Sequence, residues 1–182
     1  MPHQPRLMQS LHHLLWSQRV AALGTLSMPS APTDPAHGTH GPDTWPAVSM
    51  VPYAIDSTQQ ALVVHVSALA AHTQQMKQHP DVGLMVCSPE VAGQPVHALE
   101  RISLQARART PERESAAWHS AHAAYTARFP EAAFMTALGD FRFVLLSPTS
   151  GRHVAGFGAA RQVGCEELVQ LLSTAPTAAT SQ

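Results

Sequence analysis

Between Ala61 and Cys87 the chain runs ALVVHVSALAAHTQQMKQHPDVGLMVC, and no other stretch limits its possible folds as much. Leu62 to Val66 is an apolar, β-branched run of the length of a buried strand. Ser67 stands where a hydroxyl can cap the turn into a helix. Ala68 to Lys77 is rich in good helix formers, with Leu69, Thr73 and Met76 at helical spacing on one face. Pro80 stops the helix, and Lys77 and His79 lie in its last turn, where positive charge suits the carbonyl end. Val82 to Cys87 reads as a second buried strand. A strand entering a capped helix leaves backbone N–H groups free at the helix start, and these can hold an anion such as a phosphate. His72 and Thr73 would add side-chain donors close by. On the residues alone the plainer reading is favoured, a structural unit whose cap holds only its own backbone.

The 182 residues suit one domain with a real core, 1–182. Charged residues make up 13% and the formal net charge is −1. That balance argues against a nucleic-acid protein, which needs a basic face for phosphates. Twelve histidines stand beside a single lysine, Lys77. They are scattered, without HExxH or cysteine-partnered spacing; His119 and His122 alone share a helix face, and no metal site is expected. Cys87 and Cys165 have no CxxC partner, which fits a reducing compartment. The N-terminus lacks the apolar core and cleavage site of a signal peptide, and no apolar run approaches the ~20 residues that span a bilayer. A cytoplasmic protein is expected.

In chain order, Leu7, Leu11, Leu14 and Leu15 mark an amphipathic N-terminal helix within residues 1–18. Val20 to Ser27 reads as a strand. Residues 28–46, thick in Pro, Gly and Thr, read as a flexible loop. Ala47 to Ile55 is a strand in which Pro52 removes a ladder donor, so an edge position, a bulge or a ligand-facing segment is favoured. Arg101 to Thr110 alternates as a half-exposed strand does. Glu112 to Phe129 is helical, with Pro111 in its first turn and Trp118, His122, Tyr125 and Phe129 on one packing face. Glu131 to Leu138 continues as a short helix. Phe141 to Leu146 is a strand, Ser147 to Gly151 a turn, and His153 to Phe157 a last strand. Gly156-Phe157-Gly158 lacks the third glycine and the acidic residue of a dinucleotide fingerprint. Cys165 to Leu172 closes as a helix before a frayed tail, 173–182. Several strands without regular βαβ alternation predict a mainly β, mostly antiparallel barrel with flanking helices.

The segments PAVSMVPYAID, LVVHVSALAAHTQQMKQHPDVGLMV, ERISLQARA, GDFRFVLLSP and GRHVAGFGAA, in this order, resemble the FMN-binding split-barrel superfamily typified by pyridoxamine 5′-phosphate oxidase. The resemblance runs from about Trp16 to Arg161. The branch it is most similar to is that of the haem-utilisation, HugZ-type proteins, where an S-x-L-A-x-H-T segment and a late GFG recur. It implies a six-stranded split β-barrel forming a homodimer, with FMN in two clefts at the subunit interface. The flavin would lie along Ser49, Met50 and Val51, and its phosphate would meet Ser67 and the segment Ala70 to Thr73. His72 stands where the oxidase has a lysine, and Ser49 where it has an arginine. Arg101 stands at a flavin-contacting position and would supply the missing positive charge. Those departures argue against pyridoxal phosphate synthesis itself.

The resemblance implies an FMN-binding oxidoreductase of unknown substrate, with the electrons carried by the flavin and no catalytic side chain assigned. The alternative is haem binding of the HugZ type, which needs a His, Cys, Met or Tyr iron ligand. The chain has no histidine after His153, and Asp140 in LGDF matches an aspartate that some members place near haem.

Overall fold

The computed structural model of the chain describes residues 3–27, 44–156 and 158–176. The segments 28–43 and 177–182, which hold most of the expected loop and tail, lie outside the described residues, as does Phe157.

The chain order is α1 (His3–Ser17), β1 (Val20–Ser27), β2 (Trp45–Pro52), β3 (Ala54–Asp56), β4 (Ala61–Ser67), α2 (Ala71–Gln78), β5 (Asp81–Cys87), β6 (Arg101–Arg109), α3 (Ala116–Arg128), β7 (Phe141–Val154), β8 (Ala160–Gly164) and α4 (Cys165–Ser173). A single turn of 3-10 helix covers Val96–Ala98, and a longer run covers Pro130–Ala137. The strand pairs are all antiparallel, in the path β2-β1-β5-β6-β7-β4-β3, with β8 added to β7. The two ends of that path, β2 and β3, are separated only by Tyr53. The sheet must therefore curl until its first and last strands are neighbours, which is a split barrel. Among the described residues it has eight strands rather than the six expected.

The strands depart from the sequence reading at two places where local sequence misleads, and β8 (Ala160–Gly164) has no counterpart in that reading. The segment Ala47 to Ile55 breaks at Tyr53, whose backbone N–H leaves the ladder to bond Arg19 O. Ser147 to Gly151 is not a turn; β7 runs unbroken for 14 residues. Pro148 and Ser150 pair with Ala106 and Gln105, so Thr149 is the extra residue of a bulge. A bulge tolerates the missing donor of proline. Beyond it, β7 trades its neighbour β4 for β8. The last strand expected over His153 to Phe157 ends as part of β7 at Val154, and on either side of Phe157, which is not described, Gly156 and Gly158 have φ of +118° and +80° between β7 and β8.

Alternation explains the burial. In β1, Ala21, Leu23 and Thr25 point inward, as do Val82, Leu84 and Val86 of β5 and Ile102, Leu104 and Ala106 of β6. This interior is plugged by Leu11, Leu14 and Leu15 of α1 and by Leu168, Leu171 and Leu172 of α4. The two helices are tied by the Trp16 indole N–H, which donates to Leu171 O at 2.9 Å. Strand β4 is buried on both faces, because α3 covers its outer side through Ala121, Tyr125, Phe129 and the strand residues Phe143 and Leu145. The aromatic face of α3 is thus a packing face, as expected. Its helix starts later than Pro111, since Ser115 accepts the N–H of Trp118 and forms the cap.

Candidate ligand-binding site

Most of the residues singled out from the sequence meet at one corner, where β4 passes into α2 beside β2. Ser67 is not the cap of α2. The cap position is Ala70, and the helix begins at Ala71. Instead the Ser67 hydroxyl accepts the N–H of Leu69 at 3.1 Å and donates to Asp140 Oδ2 at 3.0 Å. Ala68 N–H donates to Asp140 O, and the Thr73 hydroxyl donates to Ser67 O at 2.7 Å. This extra turn leaves Leu69 outside the helix and 85% exposed, while Thr73 and Met76 are buried as expected. The N–H groups of Ala71 and His72 head the helix.

His72 reaches across to β2, with Nδ1 at 3.2 Å from Ser49 Oγ. Burial lowers its pKa below the ordinary histidine value, so the ring is neutral near pH 7. Ser49, Met50 and Val51 diverge because strand side chains alternate: Ser49 faces His72, Met50 points outward, and Val51 lies in the core. As β2 is an edge strand, one side of its backbone is free of sheet partners among the described residues.

Arg101 is not brought to this corner within one chain. The register Ser49–Leu23, Leu23–Leu84, Leu84–Leu104 puts it three strands away and three residues further along. Its guanidinium donates to Leu99 O at 3.0 Å. His153 is fully buried, with Nε2 at 2.8 Å from Glu100 Oε1, which also accepts from Ser10 of α1. Burial works against the Glu100 carboxylate, but hydrogen bonds from His153 and Ser10 overcome it and hold its pKa below the usual range. His153 is therefore a buried latch between β7 and α1 within this chain. Both cysteines are free.

Sequence reasoning missed the surroundings of His65. It is 8% exposed and enclosed by the rings of Phe143, Phe141 and Tyr125 at 4.6, 5.1 and 5.5 Å. Burial, with a smaller contribution from His122, lowers its pKa to about 4. Its place in a β-branched run gives no sign of this, since the rings arrive from β7 and α3.

The outer face of β2, β1 and β5 carries Val48 (75% exposed), Met50 (68%), Leu26, Val20 and Met85, and no helix among the described residues lies over it. At its centre Gly24 and Gly83 pair directly, leaving a trough of about 580 Å³. A Cβ on Gly24 would meet nothing closer than 3.6 Å, and neither glycine has a positive φ. The chain's own packing therefore does not require glycine at either position.

Known proteins place this geometry. A family model described as pyridoxamine 5′-phosphate oxidase matches residues 36–155, well over half of the chain. The chain belongs to that family. Heme oxygenase HutZ of Vibrio cholerae is 31% identical over 128 residues, which cover 70% of this chain and 72% of HutZ. Among solved structures, a heme binding protein from Mycobacterium smegmatis has a TM-score of 0.73 at 23% identity over 90% of this chain. The crystal structure of V. cholerae HutZ, there described as a heme storage protein, has a TM-score of 0.62 at 24% identity, covering 78% of this chain and 89% of HutZ. Campylobacter jejuni ChuZ has a TM-score of 0.71 at 20% identity over 88% of this chain. The chain spans 60% of the mycobacterial and Campylobacter proteins. Both the split-barrel superfamily and its haem-utilisation branch are thereby borne out. No helix among the described residues is long and apolar enough to cross a membrane.

Proposed function

We infer that this chain is a haem-binding protein of the haem-utilisation type, acting as a homodimer with the ligand at the subunit interface. The observation that carries this reading is the 31% identity with the protein named heme oxygenase HutZ. The chemistry of the corner supports it. A phosphate needs unengaged donors and positive charge. Here the Ser67 and Thr73 hydroxyls already donate within the chain, His72 is neutral, and the Asp140 carboxylate stands beside Ser67. An FMN phosphate, with about two negative charges near pH 7, would meet that carboxylate. A haem needs a neutral imidazole and apolar surface. His72 has Nδ1 held by Ser49, which fixes the ring; with the proton on Nδ1, Nε2 would be the nitrogen able to donate to a metal. Met50 and Val48 point to the outer face of β2, away from Ser49 and His72, so their exposed apolar area belongs to the subunit interface. Bound there, haem would supply the redox chemistry, and the chain would supply the ligand and the dry surface.

FMN remains the second reading, favoured by one observation: the Ala71 and His72 N–H groups at the start of α2 are placed for an anion. Ser49, Ser67, Ala70, His72 and Thr73 would line that site, Met50 and Val51 could reach it only through their backbone, and Arg101 would come from the partner subunit.

Titrating the purified chain with haem is expected to give a saturable, sharpened Soret band, while FMN fluorescence in a parallel titration stays unquenched. His72→Ala should shift the Soret maximum. Quenched flavin with an unaltered haem spectrum would reverse the assignment.

The uncovered apolar face of β2, β1 and β5 supports the dimer. Burying Val48 and Met50 against a second copy is worth about 1.5–3 kcal/mol per side chain. Met50→Asp should convert a dimer to a monomer in light scattering while leaving the far-ultraviolet spectrum unchanged. A Met50→Asp protein that stays dimeric places the interface elsewhere.

A further inference from the structure

Strand pairing fixes how side chains are arrayed on the open face of β2, β1 and β5. Gly24 pairs with Val48 of β2 and with Gly83 of β5. One cross-strand row therefore carries Val48, 75% exposed, beside a gap of two residues without side chains. The next row is Met50, Ala22 and Met85. Neither row holds a charge, and on β6 they continue as Gln105 and Ser103. A ridge next to a hole on one surface is self-complementary, because a twofold axis turns the ridge of each copy onto the hole of the other.

That axis has one workable position. Strands lie about 4.8 Å apart, so the trough between β1 and β5 is centred about 7 Å from β2. A twofold axis in the plane of the interface, parallel to the strands and between β2 and β1, carries β2 of one copy over the trough of the other. It moves nothing along the strands, so Val48 meets Gly24 and Gly83 in both directions at once. An axis across the strands would set β2 over β2 and leave the trough unfilled. The face is also large enough for a stable contact. Val20, Leu26, Val48, Met50 and Met85 are all exposed on it. At roughly 100 Å² apiece they supply more than half of the ~800 Å² that each partner buries in a standard interface.

We propose that the trough over Gly24 and Gly83 seats Val48 from a second copy of this chain. This packing rests on the homodimer inferred above and gives it a register. The chain itself leaves the space open, since a Cβ on Gly83 would meet nothing closer than 3.9 Å. The same rotation carries β6 of the second copy past the free edge of β2, beside Ser49 and His72. The contact that fills the trough therefore also walls the corner.

Sedimentation equilibrium of the chain and two variants reads the contact directly. Gly24→Val puts methyl groups where Val48 of the second copy must sit. It should raise the dimer Kd about a hundredfold and leave the far-ultraviolet spectrum unchanged. Val48→Ala should raise the Kd about tenfold. Mixed in equal amounts, the two variants should pair with each other at least about tenfold more tightly than Gly24→Val pairs with itself. In the mixed dimer alanine faces the filled trough and valine the open one, so no clash remains. Gly83→Ala adds one methyl to the other wall; it takes the place of Gly24→Val if that chain does not fold, and should raise the Kd about tenfold. Haem titration gives a second readout, since monomeric Gly24→Val should bind haem more weakly than the parent dimer. Unchanged haem affinity in that monomer would show that the second copy does not wall the corner. Gly24→Val dimerising as well as the parent, or a mixture without preferential pairing, would overturn the proposal. Loss of haem from such an intact dimer would make the trough a ligand seat instead. A monomeric parent overturns the homodimer as well, whereas a dimer sensitive to Met50→Asp but not to Gly24→Val overturns this packing alone.

Discussion

The unfolding free energy of this protein is expected to fall by about 3 kcal/mol between pH 6.5 and pH 4 on account of His65 alone. The ring is held among Phe143, Phe141 and Tyr125, and burial lowers its pKa from 6.5 to about 4. Above pH 6.5 both folded and unfolded chains carry it neutral, and its contribution is fully present. As pH falls below 6.5 the unfolded chain takes up a proton that the folded chain refuses, and stability drains away. Below about pH 4 both states are protonated and this residue causes no further loss. His72 and Glu100, whose pKa values are also lowered, act in the same direction, Glu100 in the more acid range. His65→Phe keeps a ring in the slot and removes the proton. Denaturant unfolding of the two proteins from pH 7 to pH 4 should show the parent losing stability more steeply than the variant as the pH drops. If the variant declines as steeply as the parent, His65 is not the group that titrates.

Phe143→Ala is expected to cost about 3–5 kcal/mol, a large part of the ~5–15 kcal/mol that holds a domain together. Phe143 is 1% exposed and stands at the centre of the aromatic cluster. His65, Trp118, Tyr125 and His122 lie at 4.6, 5.7, 5.9 and 5.9 Å from it. Deleting it removes transfer free energy, leaves a cavity, and forfeits ring pairs worth ~0.5–1.5 kcal/mol each. It also wets His65, so the pH dependence above should shrink in the same variant. Urea unfolding at pH 7 measures the first effect and its repeat at pH 5 the second. A loss below about 1 kcal/mol would mean that α3 is not packed through this ring.

Strands with clear alternation or continuous apolar character are legible in the amino-acid order alone. Val20 to Ser27 is β1 residue for residue, β5 and β6 fall within a residue of their expected starts, and α4 is the expected helix extended to Ser173. The side chains of each of these elements bury in a repeating pattern, and a pattern of that kind is written along the chain. The ordered motifs also carry the family and its haem-utilisation branch. The corner is recognisable as a strand–helix junction, but its chemistry is not. Ser67 reads as a cap because a hydroxyl before a helical run usually is one. Asp140, 73 residues later, offers that hydroxyl a better partner and moves the helix start to Ala71.

The sequence by itself determined which segments could be strands and which helical faces were apolar, because periodicity is a local property of the chain. Only the tertiary structure decided three other things. It ran β7 through Pro148, since β6 and β8 hold the backbone on either side of a bulge. It set Arg101 three strands from Ser49, since register is fixed by pairing and not by spacing. It also buried the Arg142 Nε without a hydrogen-bond partner among the described residues. Each depends on residues far apart in the chain meeting across the sheet, and a contact between distant residues leaves no trace in the neighbours of either one.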